Sequence, residues 1–236
     1  MQATLDLIHA VTDPIEHVIL SEGALAPKSK DLRVAASSNA ARQLSATKPF
    51  ASITPSLIHP LFPFTPLANI AANLPHVISA LSEANLTDTP MLLAALATIR
   101  AEAEPFLPLT ESESRFNTSP GGHAFDLYDH RAELGNQGPP DGASFRGRGY
   151  VQLTGRFNYA HYGRTLSLDL INSPALAAEP ETAARILAAF LVEKQAAIRA
   201  ALAANDLAHA RRLVNGGSNG LARFTAAYTA GLKVFA

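Results

Sequence analysis

A run of fifteen residues, Phe145-Arg-Gly-Arg-Gly-Tyr-Val-Gln-Leu-Thr-Gly-Arg-Phe-Asn-Tyr159, constrains this chain more than any other segment. Gly147, Gly149 and Gly155 punctuate side chains that include Arg146, Arg148, Gln152, Thr154, Arg156 and Asn158. Glycine lets the backbone approach a ligand closely or take a positive φ. The amides and the hydroxyl supply donor and acceptor pairs without charge. That set suits a neutral polymer rich in hydroxyl and acetamido groups, and a core segment would have little use for it.

At 236 residues the chain fits one domain with an extension, or two small domains. Hydrophobic residues make up 47% and charged residues 17%, enough to bury a sizeable core. The net charge of −1 argues against a nucleic-acid binder, which needs clustered excess Lys and Arg to neutralise phosphate. The Arg-Gly pattern at 146–149 occurs once and does not change that. No cysteine is present, so disulfides, Cys-based zinc sites and thiol nucleophiles are excluded. The histidines lack HExxH spacing, and residues 126–141 lack the alternation of a calcium loop. No metal and no cofactor are expected. The opening Met1-Gln-Ala-Thr-Leu-Asp-Leu-Ile-His-Ala has no basic region and places Asp6 and Asp13 where a signal peptide would be apolar. No apolar run approaches the ~18 residues of a membrane span, so membrane insertion is not expected.

Residues 1–52 read as a separate arm or linker. An amphipathic opening around Leu5, Leu7, Ile8 and Val11 leads into a polar stretch, Pro27 to Pro49, with little to bury. A folded domain is expected over 53–236, mainly α-helical and with few strand signals. Leu57, Leu61, Ile70, Leu74, Val77, Ile78 and Leu81 suggest short helices broken by Pro60, Pro63, Pro66 and Pro75. Thr89-Pro90 reads as an N-cap with proline at the first helical position. Leu92, Leu96, Ile99 and Ala103 then mark one buried face, closed by Pro105 and Pro108. Periodicity disappears from Thr110 to Tyr150, where half of the 14 glycines lie. A loop this long inside a domain is usually functional, and Phe106, Phe116, Phe125, Tyr128 and Phe145 offer it anchors. Further helices are expected near 159–167, 174–178, 180–200, 206–214 and 220–234, with Asn215-Gly216-Gly217 as a stop.

Hydrolysis of a glycosidic bond calls for two carboxyl groups on opposite faces of the bond. Glu102 sits roughly 60–80° from the apolar stripe of its helix, at the edge of the core, where partial burial favours a protonated acid. An ordinary surface glutamate, like Glu104, is the plainer reading of helix position alone. Thr154, Gln152 and Asn158 could equally cap nearby backbone.

The signature is similar to the central motif of the family 19 glycoside hydrolases, plant-type chitinases and phage-type endolysins of the lysozyme-like superfamily. That motif runs approximately Gly-Arg-Gly-x-Ile-Gln-Leu-Thr/Ser-Gly-x-x-Asn-Tyr. Ile99-Arg-Ala-Glu-Ala-Glu-Pro-Phe106 resembles the family's Ile-Ala-His-Glu-Ser-Gly-Gly-Phe, which aligns Glu102 with the general acid. Ala101 replaces the family histidine, and Glu104-Pro105 replaces the glycine pair. Arg211-Arg-Leu-Val-Asn-Gly-Gly217 resembles the Asn-Gly-Gly element. The resemblance covers roughly residues 53–230 and lacks the disulfides frequent in plant members.

It implies a two-lobed helical domain with a sugar cleft, hydrolysing β-1,4 bonds in chitin or peptidoglycan with inversion. A weakly active or inactive glycan-binding protein on the same fold is the alternative. The implied roles are Glu102 as acid and Thr154 as the holder of the attacking water. Arg148, Tyr150, Gln152, Asn158 and Asn215 would line the substrate site, with Arg148 either pairing with a catalytic carboxylate and keeping it ionised or standing as a solvated cation. Two candidates stand for the second acid. Glu111 has the spacing of the phage-type members, and Asp129 precedes a Leu-Gly-Asn element. On a continuous helix, nine residues would separate Glu102 and Glu111 by about 13–14 Å, more than the ~6.5–9.5 Å of inverting enzymes, so the prolines must turn the chain back. Glu113, Asp126 and Glu133 read as solvated loop charges. The expected partner is a polysaccharide met by a monomer, reaching a cell wall after cytoplasmic synthesis through a lysis or secretion system.

Overall fold

A computed structural model describes residues 50–236. The arm expected over 1–52, with its amphipathic opening, lies outside the described residues except for its last three. Phe50 already packs on the main core, so the packed chain begins slightly before Ile53.

Helix α1 (Pro55–Ile58) and a 3-10 turn (His59–Leu61) lead into α2 (Leu67–Glu83). Pro75 lies inside α2 and does not break it. Proline removes one backbone donor, and burial of Ile70, Leu74, Val77 and Leu81 along one face outweighs that loss. Helix α3 (Thr89–Glu102) starts one residue earlier than Thr89 suggests: Asp88 is its N-cap, accepting from Met91 N at 3.2 Å. A single buried face was expected for α3. Every residue from Met91 to Ala101 is buried, so α3 is the axis of the core. Two antiparallel two-residue strands, β1 (Leu109–Thr110) and β2 (Arg148–Gly149), tie the long central segment together. Between them lie α4 (Asp126–Asp129), a 3-10 turn (Ala132–Leu134) and α5 (Asp141–Ser144). Phe106, Phe125, Tyr128 and Phe145 anchor this segment, whereas Phe116 is partly exposed beneath Arg115.

The remaining helices follow the expected pattern closely: α6 (Arg156–Leu166), a 3-10 turn (Pro174–Ala178), α7 (Pro180–Ala203), α8 (Leu207–Asn215) and α9 (Leu221–Phe235). Gly216, at φ 75°, ends α8 as the Asn-Gly signal implied. Helix α7 joins two cores. Ala183, Ala184, Leu187 and Leu191 pack with α2 and α3, while Ile186 packs with Phe145, Leu153, Tyr159 and Tyr162. The molecule is mainly helical, and Phe125, Tyr128 and Leu134 give its central segment a small apolar cluster of its own.

Candidate active site

Glu102 is the last residue of α3, with its side chain 13% exposed. Two donors meet on one of its oxygens. Arg211 Nη2 and Asn215 Nδ2 donate to Oε1 at 2.5 and 3.1 Å. These residues stand one turn apart on α8, so a single helical face serves the acid twice. Arg211 is fully buried, and its Nε donates to the Asn219 carbonyl at 2.7 Å. The small residue at 101 belongs to this packing. A Cβ on Gly220 would lie 3.1 Å from the Ala101 Cβ and 3.2 Å from Arg211 Nη2. Gly220 therefore packs closely against both Ala101 and Arg211.

The chain turns back directly after Glu102. Phe106 takes φ 57°, and β1 then runs antiparallel to β2 with Thr110 opposite Arg148. This register sets Glu111 against Gly147. Glu111 N donates to the Gly147 carbonyl at 2.8 Å, and Gly147 N donates to Glu111 Oε2 at 3.0 Å. The other oxygen, Oε1, accepts from Asn117 Nδ2 at 3.0 Å and Tyr128 Oη at 2.9 Å. A methyl group on Gly147 would lie 3.1 Å from Glu111 Oε2, 3.3 Å from Thr154 Oγ1 and 2.8 Å from Gln152 Oε1. Three oxygens thus converge around a position that only glycine leaves open.

Asp129 is engaged elsewhere. Its carboxylate is buried, with Oδ1 accepting from Gly142 N at 2.8 Å and Oδ2 2.6 Å from His123 Nε2. It ties α4 to α5. Thr154 is buried and donates to the Gln152 carbonyl at 2.8 Å. Gln152, at φ 50°, uses its Nε2 on the carbonyls of Gly149 and Leu109. Asn158 donates to the Thr154 carbonyl at 2.8 Å.

Three expectations require correction. Arg148 does not pair with a carboxylate. Its Nη1 reaches the Ser144 carbonyl and Tyr159 Oη, both at 2.8 Å, and its guanidinium lies against the Tyr159 ring. It is buried and braces the signature from beneath. Tyr150 is fully buried, edge-on to Phe106, with its hydroxyl on Asn73 Oδ1 at 3.2 Å, so it belongs to the core and not to a cleft. Burial pushes its phenol well above the ordinary value, as it does for Tyr159, raised to about 12. Asp126 is also more than a solvated charge, since it accepts from Ser119 N at 2.7 Å.

Sequence reasoning assigned no role to Arg211 or Asn117 and read Tyr128 only as an anchor of the long segment. The i, i+4 spacing of Arg211 and Asn215 was the available signal for the first. Nothing in a loop of irregular backbone announces Asn117. Among the described residues, no group of three or more His, Asp or Glu side chains converges as a metal site would need.

No protein-family model matches the chain, and no curated protein matches it. Solved structures do. Chitinase C from Streptomyces griseus HUT6037 aligns at a TM-score of 0.53 and 18% identity, over 78% of this chain and 76% of that one. A mutant of chitinase C aligns equally well. A bacterial family 19 chitinase, reported to differ from plant enzymes, aligns at 0.53 and 18% over 77% of this chain and 94% of its own. This chain has the mainly helical, lysozyme-like fold of the family 19 chitinases.

Proposed function

We propose that the chain is a glycoside hydrolase that cleaves β-1,4 bonds in N-acetylglucosamine polymers, chitin foremost, with inversion. The observation that carries this reading is the pair of separately braced glutamates. Glu102 is held by Arg211 and Asn215 from α8, and Glu111 by Asn117, Tyr128 and Gly147 from the central segment. Glu102 Oε1 takes both of its donors, which leaves Oε2 to carry a proton to the leaving oxygen. Glu111 is surrounded by donors alone, the setting of a group that receives a proton.

The Thr154 hydroxyl spends its own hydrogen on the Gln152 carbonyl, so towards a water it acts as an acceptor. A water between Thr154 Oγ1 and Glu111 Oε2 would donate one hydrogen to each. Its lone pair would then point at the anomeric carbon. Displacement at that carbon breaks the glycosidic C–O bond, Glu102 supplies the proton to the departing oxygen, and Glu111 takes one from the water. The chitinase neighbours favour chitin over peptidoglycan as substrate.

Ala101, in place of the family histidine, favours one rival reading, a protein that binds glycan on this fold without turning it over. Colloidal chitin and purified sacculi digested side by side, with mass analysis of the products, separate the readings. Soluble N-acetylglucosamine oligomers from chitin support the proposal. Binding without products supports the rival, and muropeptides alone would move the substrate to peptidoglycan.

A further inference from the structure

Resting on the reading of Glu111 as base, we infer that Tyr128 is a positioning residue that aims that carboxylate through its hydroxyl. Tyr128 lies on α4, seventeen residues beyond Glu111, and donates to Oε1 at 2.9 Å. A buried tyrosine needs some partner for its hydroxyl, so the contact alone would be unremarkable. The fixing of Tyr128 makes it more than that.

Its ring lies between Phe125, with centroids 6.2 Å apart, and the Arg131 guanidinium 5.4 Å away. Its carbonyl accepts from Asn136 Nδ2 at 2.8 Å. The next residue, Asp129, is clamped by Gly142 N and His123, which stops α4 from turning. Gly142 permits that clamp, since a Cβ there would sit 2.1 Å from the Phe125 carbonyl. The buried Asp129 therefore acts at one remove, by holding the neighbour that touches Glu111.

Asn117 Nδ2 gives one hydrogen to Glu111 Oε1 and the other to the Ser112 carbonyl, both at 3.0 Å. Gly147 N fixes Oε2, and Tyr128 and Asn117 together set the rotation of the carboxylate about that point. Ionisable groups facing this cluster include Arg131, over the Tyr128 ring, Arg146, over the Phe125 ring, and Tyr159, whose phenol senses the Glu111 charge and is held by Arg148. Burial and then the Glu111 charge hold the Tyr128 phenol neutral, as a donor must be.

Tyr128→Phe keeps the ring between Phe125 and Arg131 and removes only the hydroxyl. Steady-state kinetics across pH on chitin oligomers, and carbon NMR of the Glu111 carboxyl against pH, test the inference. Loss of one hydrogen bond to a charged group should lower kcat about 10- to 100-fold. KM should stay within about twofold, because the contact acts on the base and not on ground-state binding. The acid limb of the rate and the carboxyl midpoint should both move to higher pH, since a donor to the charged form is gone. Replacing Tyr128 with 3-fluorotyrosine, a stronger donor of the same shape, should move the midpoint the other way.

An unmoved midpoint in both variants overturns the inference. So does a moved midpoint with kcat intact, which would reduce the contact to packing. If the wild-type protein hydrolyses neither chitin nor sacculi while the midpoint moves, the glycosidase reading falls and the hold of Tyr128 on the carboxylate stands.

Discussion

Arg211 and Glu102 meet across 109 residues of sequence as a pair, with the guanidinium fully buried and Nη2 2.5 Å from Oε1. Removing one partner of a buried pair strands the other, at about 3–5 kcal/mol. Arg211→Ala should therefore lower stability by an amount in that range and abolish turnover. Arg211→Lys keeps the charge but cannot reach both Glu102 and the Asn219 carbonyl with a planar fork. It should fold and lose rate. Urea unfolding with parallel kinetics reads both, and an alanine variant of unchanged stability would refute the pairing.

Glu102→Gln follows from the same contact. A carboxylate at the edge of a cleft would be replaceable without structural cost, but this one faces a buried cation. The amide retains an oxygen for Asn215 and Arg211 and loses the charge opposite the guanidinium. Rate should fall on the order of 10² to 10⁴. Thermal unfolding should also show a clear loss of stability, smaller than that of Arg211→Ala. Near-normal turnover in the folded variant would remove Glu102 as the acid.

These two residues also mark where sequence was informative. Helices α6 to α9 were legible because their starts and stops are chemical: Pro180 opens α7 and Asn215-Gly216 closes α8. Glu102 and Thr154 were singled out because they lie within ordered motifs, and Glu111 because of its spacing from Glu102. Arg148 and Tyr150 sit in the same motif and were misread, since a motif gives order along the chain and not which way each side chain faces. The β1–β2 register turns Gly147 towards Glu111, and Arg148 and Tyr150 are buried behind it. The complete burial of α3 was hidden for a related reason: Ala94, Ala95 and Ala97 look neutral in a periodic pattern, yet they allow close packing on every side.

Acid stability should depend on Asp141. Arg156 grips both of its oxygens, Nε on Oδ2 at 2.7 Å and Nη2 on Oδ1 at 2.5 Å, and Gln137 N adds a third donor. The Arg156 hydrogen bonds hold its carboxyl below the ordinary 3.8. A lowered folded value contributes stability that is fully present above the unfolded value and is lost as pH falls through the folded one. Asp141→Asn should be less stable than wild type at pH 7, and the gap should close as pH falls below about 4. Urea midpoints at a series of pH values would show it, and a gap independent of pH would contradict the pairing.

Glu111→Gln and Asp129→Asn should separate chemistry from scaffolding. Glu111 touches the position at Gly147 where Thr154 Oγ1 also points, whereas both oxygens of Asp129 are taken by His123 and Gly142. Glu111→Gln should cost about 10² to 10⁴ in rate with binding retained. Asp129→Asn should lose mainly stability, because an amide cannot accept from both partners through two oxygens. Thr154→Val keeps the shape but gives a water no acceptor, so it should lower kcat far more than it raises KM. A water activated between Glu111 and Thr154 attacks opposite the leaving group, so a β-linked chitin oligomer should first release α-anomer. Proton NMR of the nascent reducing end reads this directly. Initial β-anomer would overturn the water-mediated mechanism, and a larger rate loss in Asp129→Asn than in Glu111→Gln would transfer the base to α4.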